Sequence, residues 1–294
     1  MKRLIAISIV AFSIAACKEQ TPPEPANKQI NVESCVDELM NDELDIVTWN
    51  LQEFPLTPIT TQYIDDIIHQ MDADVIAVQE ISSALALNEV IRYVTPLGWK
   101  GMVHGVGDLK LGFLYNAKKV DLTDFVVLFD DDPDAFPRPV IKTKITTKAA
   151  VFGVTTDIWL LNVHLKCCDG ADNIKRRRDA ITRIKTYVIG VHPDDKVVIT
   201  GDFNDVLDAD PNINVFTPIL SDTPNFTIAD MDIATGNPNL WSYPSFPSHL
   251  DHFIISNELF EKVELVKTVL LEDCIHDYDV NVSDHRPVLL SLQP

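Results

Sequence analysis

Short β-rich apolar runs recur along this chain, separated by stretches with helical spacing. LDIVTW (44–49), DVIAVQ (74–79), KVVIT (196–200), HFIIS (252–256) and PVLLSL (287–292) have the length and β-branched content of buried strands. WKGMVHG, KLGFLYN, DFVVLFD and LVKTVLL (265–271) predict further strands. Residues 57–71 place Ile59, Tyr63, Ile67 and Met71 at helical spacing, 82–95 read as helix up to Pro96, and 171–189 put Ile174, Ile181, Ile184 and Val188 on one stripe. KITTKAAVFGVTTDIWLLNVHL (144–165) predicts a hairpin of two long strands turning at 147–149. Helices interleaved with strands and hairpins predict an α/β layered domain with mixed sheets, not a purely parallel doubly wound one. With 294 residues, 46% of them hydrophobic, and no proline-rich linker after residue 35, the expectation is one domain over 35–294.

The ends of these runs carry the chemistry. Asn50 follows LDIVTW, Glu80 follows DVIAVQ, and His164 stands near the end of IWLLNVHL. Asp202 and Asn204 follow VVIT, Asp251 precedes HFIIS, and Asp284 and His285 precede PVLLSL. Singly, each has a turn-forming or capping role open to it, and Gly201 would let the strand turn. Jointly they are acids, amides and imidazoles gathered at strand ends, where layered α/β proteins bring distant segments together.

Formal net charge is −20, from 24 basic and 44 acidic side chains, which argues against tight non-specific binding of a phosphate backbone. Lys2 and Arg3 precede the uncharged run Leu4–Ala16, which is the form of a secretory signal. Thirteen residues reach roughly 20 Å as helix, too short for a bilayer core of ~30 Å. Ile14-Ala15-Ala16-Cys17 resembles a bacterial lipobox. The expected plan is therefore a signal over 1–16, a lipidated Cys17 heading an extended polar tether over 17–34, and an exported, membrane-anchored domain facing the periplasm or cell surface. Cys35, Cys167, Cys168 and Cys274 remain, an even number for an oxidising compartment. Disulfides are expected, with Cys167 and Cys168 each reaching a distant partner because bonding adjacent residues strains the peptide between them. Zinc is the alternative, although the spacings match no zinc pattern.

TWNLQEF (48–54), IAVQE (76–80), LNVHLK (161–166), GDFND (201–205), SHLDHFIIS (248–256) and SDHRPV (283–288) together resemble the endonuclease/exonuclease/phosphatase superfamily, in order and across residues 44–292. The resemblance implies a four-layer α/β sandwich, two mixed β-sheets packed face to face with helices outside. It implies that Asn50 and Glu80 supply oxygen ligands to Mg²⁺ or Mn²⁺, with Asp284 joining that shell or holding one of its waters. It further implies that Asp202 and Asn204 position the attacking water, and that His164 donates to a phosphate oxygen. Asp251 would orient His285, which acts on the water or contacts the phosphate. An extended segment would turn Asp202 and Asn204 to one side and Phe203 inward.

Gln52 stands where some relatives carry an acid, and His164 has no evident acidic partner. Arg138 reads as an arginine of some relatives or as an Arg-Pro turn, Lys175–Arg178 as a solvated helix face or, if the helix start faces the cleft, a phosphate-tracking patch, and Trp241, Tyr243 and Phe246 as aromatics that stack bases, meet lipid or pack on the domain. The implied activity is divalent-metal-dependent hydrolysis of phosphate esters, with an extracytoplasmic nuclease or phosphodiesterase ahead of a phosphomonoesterase or phospholipid-head-group hydrolase. A non-catalytic surface-binding lipoprotein is the reading from another class. The expected partners are a phosphate ester, nucleic acid among them, and a membrane through Cys17; protein partners are not readable.

Overall fold

The computed structural model describes residues 29–36, 42–105 and 109–294, so Cys17 and the signal lie outside the described residues. Among the described residues, a short helix α1 (Glu33–Val36) is followed by twelve strands that form two six-stranded sheets. The first runs β11 (Val263–Thr268), β12 (Val288–Leu292), β1 (Leu44–Phe54), β2 (Val75–Ile81), β4 (Lys110–Asn116) and β3 (Trp99–His104). The second runs β5 (Val120–Leu128), β6 (Val140–Thr147), β7 (Asp157–His164), β8 (Val197–Asp202), β10 (Asp251–Ser256) and β9 (Phe226–Ile228). Only β1–β2 and β7–β8 pair in parallel; every other neighbour is antiparallel, so both sheets are mixed.

Strand periodicity explains the layers. In β1, Val47 and Trp49 pack with Ile64 and Ile67 of helix α2 (Thr60–Gln70) and Leu87 and Val90 of α3 (Ala84–Val94), while Leu44 and Ile46 enter the core between the sheets. In β8, Val197 and Ile199 meet Ile181, Ile184 and Val188 of the 21-residue helix α4 (Ala171–Val191), and Val198 joins Leu290 and Phe253 between the sheets. The result is the four-layer sandwich. Helices and strands fall close to the sequence expectation, with three differences. The β6–β7 hairpin turns over 148–156 through a helical turn at Ala149–Phe152, so its loop is longer than expected. Strand β9, three residues long, has too little pattern to read. Residues 30 and 32, expected as tether, lie against α2: Ile30 N–H donates to Asp66 and Val32 N–H to Gln70.

Gly201 is not a turn. It is a β8 residue at φ +138°, and a Cβ there would come within 2.0 Å of the Val163 carbonyl. Only glycine lets β8 approach β7 this closely, one residue before Asp202. Beneath the strand ends, fully buried Gln79 and Asn162 join the two sheets: Gln79 Nε2 donates to Asn162 Oδ1 at 2.9 Å, and Asn162 Nδ2 to the carbonyls of Val78 and Gly112. This polar bridge in an apolar core, with Gln79 Oε1 left unpartnered, sets the relative position of the sheets where Glu80 and His164 emerge.

Candidate active site

The C-terminal ends of the parallel pairs β1–β2 and β7–β8 meet the starts of the antiparallel strands β10 and β12. All eight predicted residues of the described chain are brought to this one edge. His164 and Asp251 both register with Asp202 across the second sheet. Asn50 Nδ2 reaches across to Asp202 Oδ2 at 2.9 Å and to Glu80 Oε1 at 3.2 Å. Asp284 and His285 are hung on the first sheet by hydrogen bonds. Ser283 Oγ donates to the Asn50 carbonyl, Asp284 N–H donates to Gln52 Oε1, and Tyr278 OH donates to the His285 carbonyl. The neutral amide of Gln52, a departure from the common pattern, thus holds the Asp284 backbone.

Among the described residues, five of the seven non-glycine positions with positive φ surround this edge: Gln52, Glu53, Glu80, Cys168 and Asn204. Such conformations collect where surrounding structure over-determines the backbone for function. Asn204, at φ +54°, corrects the expectation of an extended GDFND segment. The chain turns instead, with Asn204 N–H donating to Asp202 Oδ1 at 2.8 Å and Asn204 Nδ2 to the Leu165 carbonyl. Phe203 does pack inward.

A pocket of about 600 Å³ opens onto the site, lined among others by Glu80, Asp202, Asn204, Tyr243, Asp284 and His285. His285 Nδ1 donates to Asp251 Oδ2 at 2.7 Å, which leaves Nε2 as its other polar atom. Burial lowers the affinity of His285 for its proton, but the Asp251 charge and hydrogen bond, with Asp202 and Asp284 nearby, outweigh it and lift the pKa to about 10. Burial pushes Asp202 up to about 7, and Asp251 adds to the rise while His285 opposes it. His164 is held well below its usual range by burial, then by Arg138 and His285. It is therefore a neutral ring, with Nε2 3.5 Å from Asp202 and 3.6 Å from Glu80, the acidic neighbours the sequence did not reveal.

The donor set fits a hard divalent cation. Asn50, Glu80 and Asp284 offer only oxygen as ligand atoms, and four carboxylates (Glu80, Asp202, Asp251, Asp284) converge with few cations to balance them. Glu80, His164 and Asp202, and likewise Asp202, Asp251 and His285, have ligand atoms within 4.8 Å of one another. Asp251 Oδ1 and His164 Nδ1 are buried without a hydrogen-bond partner, so the site holds unsatisfied polar capacity.

The described region matches the model of the Endonuclease/Exonuclease/phosphatase family over residues 47–285. The chain belongs to that family. It is, with the family, a metal-dependent phosphoesterase. Among solved structures, D. rerio TDP2 complexed with single strand DNA product superposes with a TM-score of 0.65 at 12% identity, covering 86% of this chain and 100% of that one. The human Nocturnin catalytic domain with bound sulfate anion gives 0.62 at 15%, covering 85% and 93%. The endonuclease/exonuclease/phosphatase from Bacteroides vulgatus gives 0.61 at 13%, covering 85% and 98%. At these identities the likeness is one of fold. No curated protein matches the chain in sequence.

Three pocket features exceed the sequence reading. Arg138 is no mere turn residue: its Nη2 donates to the Leu165 carbonyl at 2.6 Å, and its charge is felt by His164. Arg177 leaves the expected solvated face and is buried, pairing with Asp205 at 2.7 Å. It falls on the same helical stripe as Ile174 and Ile181, the signal that could have singled it out of the basic run. Lys175 stays exposed beside Asp179, as expected of the run. Cys167 and Cys168 line the pocket as free thiols, while Cys35 bonds Cys274. The expectation that each would reach a distant partner is therefore wrong: Cys274 is taken by Cys35, and among the described cysteines the two remaining sulfurs have only each other. Of the aromatics, Tyr243 and Phe246 line the pocket, whereas Trp241 packs with its Nε1 donating to the Ile233 carbonyl.

Proposed function

We propose that this protein is an extracytoplasmic phosphodiesterase, with nucleic acid as the favoured substrate class, anchored to a membrane through lipidated Cys17 and using Mg²⁺ or Mn²⁺. The carrying observation is the convergence of Asn50, Glu80, His164, Asp202, Asn204, Asp251, Asp284 and His285 on one open pocket. Asn50, Glu80 and Asp284 would hold the cation. The bound cation supplies Lewis-acid polarisation of the phosphoryl group and offsets charge on the leaving oxygen. Asp202 and Asn204, locked together by the turn, orient the attacking water, and Asp202 is placed to take its proton, while His285, which keeps its own proton at neutral pH, is placed to donate to the phosphate or the leaving oxygen. Asp251 orients the His285 ring by accepting at Nδ1, so Nε2–H is the donor left for the phosphate. Neutral His164 donates a ring N–H to a non-bridging oxygen, a charge-stabilising contact. The diester preference draws support from the open pocket, where Tyr243 and Phe246 flank the phosphate position and can take a second substituent. In the D. rerio TDP2 structure, the family fold carries a single strand DNA product.

The test is purified protein with Mg²⁺ against bis-p-nitrophenyl phosphate, p-nitrophenyl phosphate, plasmid DNA, RNA and sphingomyelin. Turnover of diesters and nucleic acid is expected, and its loss in Asp202→Ala. Hydrolysis of the monoester alone would overturn the diester reading, and no turnover at all would overturn the enzyme reading in favour of a surface-binding lipoprotein. Membrane partition that persists in Cys17→Ser would remove the anchor.

A further inference from the structure

Cys167 and Cys168 take no part in the chemistry above, yet both line its pocket. Their Sγ atoms lie 2.7 Å apart, between the ~2.05 Å of a disulfide bond and ordinary non-bonded contact. The backbone is shaped to bring them together: Cys168 holds φ +77°, a conformation side-chain-bearing residues rarely adopt. Buried Arg177 clamps that turn from both sides, donating from Nη1 to the carbonyls of Lys166 and Cys168, each at 2.9 Å. Its Nε holds Asp205, so the cysteine turn is braced against the loop that carries Asp202 and Asn204. The Leu165 carbonyl adds a second brace by accepting from Asn204 Nδ2.

We propose that Cys167 and Cys168 are a redox-modified pair in the wall of the substrate pocket, closed to a vicinal disulfide by a small-molecule disulfide. The Cys167 thiolate attacks one sulfur of the oxidant, whose S–S bond breaks and releases one thiolate. The Cys168 thiolate then attacks Sγ of Cys167 in the mixed disulfide, forming the ring and expelling the second thiolate. Two cysteine thiols lose two electrons, the oxidant is reduced to two thiols, and these take up the two protons. Burial disfavours the Cys167 thiolate, but the Cys168 hydrogen bond and Lys166 outweigh it, which suits Cys167 to the first attack. Cys168 is exposed and within reach for the second.

Adjacent Cα atoms are ~3.8 Å apart, below the 4.4–6.8 Å of ordinary disulfides, so the ring is strained and readily reduced. Cys35–Cys274, with its Cα atoms 6.4 Å apart, is of the ordinary kind. The pocket therefore has two states, one presenting two thiols and the other an apolar sulfur ledge.

The full-length protein is incubated with glutathione disulfide, alkylated with iodoacetamide and digested with trypsin. Cleavage after Lys166 and Lys175 isolates residues 167–175. The expected peptide is unalkylated and two hydrogens lighter than the dithiol, and it gains two carbamidomethyl groups when brief reduction with dithiothreitol is followed by fresh iodoacetamide. In Cys168→Ser the remaining cysteine is expected to keep its glutathione. A wild-type peptide that is doubly alkylated before reduction, or that retains glutathione, overturns the proposal. The KM for bis-p-nitrophenyl phosphate is expected to differ about fivefold between oxidised and reduced protein, the weight of one hydrogen bond, and not to respond to oxidant when Cys167→Ser and Cys168→Ser are combined. Equal KM values overturn the role in the pocket wall. The mass readout needs no turnover, so its failure is separable from failure of the phosphodiesterase reading.

Discussion

Asp251 and His252 are neighbours on β10 whose side chains leave opposite faces of one strand, and each belongs to a different aspartate–histidine cluster. Asp251 faces the pocket and holds His285, with one carboxylate oxygen still unpartnered. His252 faces away and joins Asp230 and His249 in a closed set. Its Nδ1 donates to Asp230 at 2.6 Å and its Nε2 to the Asp205 carbonyl at 3.1 Å. His249 accepts the Ser242 N–H at Nδ1 and donates from Nε2 to Asp230, which also takes the Phe253 N–H. The spacing of donors in this second cluster would suit a metal, but every ring nitrogen is already spent on a protein partner. Residue type and proximity are the same in the two clusters. Unsatisfied capacity beside a pocket separates the reactive one from the structural one.

The largest expected break in this comparison is catalytic. His285→Ala should lower kcat for a phosphodiester by about 10²–10⁴, the usual weight of an acid–base group. A fall below tenfold would place the proton transfer elsewhere. Asp230→Asn should do the reverse, sparing the chemistry but destabilising the fold by about 3–5 kcal/mol, because it strands the buried His252 imidazolium; urea unfolding measures it. Mg²⁺ at a hundred times its Kd should stabilise the wild type by about 2.7 kcal/mol, and Glu80→Gln should lose that gain in a thermal melt.

The smallest expected effect is in pH. The pKa of His252 is raised in the fold: burial lowers it, but the Asp230 charge and hydrogen bond win. Its contribution is therefore complete below the unfolded histidine value of about 6.5 and declines as pH climbs through the folded pKa. Asp230 is held well below the carboxylate range, with the His252 and His249 interactions overcoming burial, so its contribution is lost only in strong acid. The stability gap between wild type and His252→Asn should narrow from pH 6 to pH 9, and a gap that widens would contradict the imidazolium.

The strands and helices were legible because apolar period and length are local properties, and LDIVTW or VVIT reads as strand without its partners. The eight candidate residues stood out by type and position at strand ends, and the fold gathers them at one edge. Three things were not. The left-handed turn at Asn204 depends on an Asp202 hydrogen bond that sequence spacing does not show. The close approach at Gly201 depends on the Val163 carbonyl of another strand. The fate of Cys167 and Cys168 was settled by Cys274 having a nearer partner in Cys35, which is decided by residues 30–36 packing against α2 and beside Leu271.

That last bond also has a mechanical meaning. Cys35 and Cys274 are 239 residues apart, and closing such a loop restricts the unfolded chain by an amount on the order of 5 kcal/mol. It also sets the path of force. A pull arriving along the chain from upstream of Cys35 crosses directly to Cys274, near the C-terminal strand β12, and bypasses the residues between. Those residues include β1, β2, β7, β8 and β10, and with them nearly the whole catalytic edge. A molecule held at one end, against flow or a substrate fixed elsewhere, would be loaded at its staple and not unzipped strand by strand from its N-terminal side.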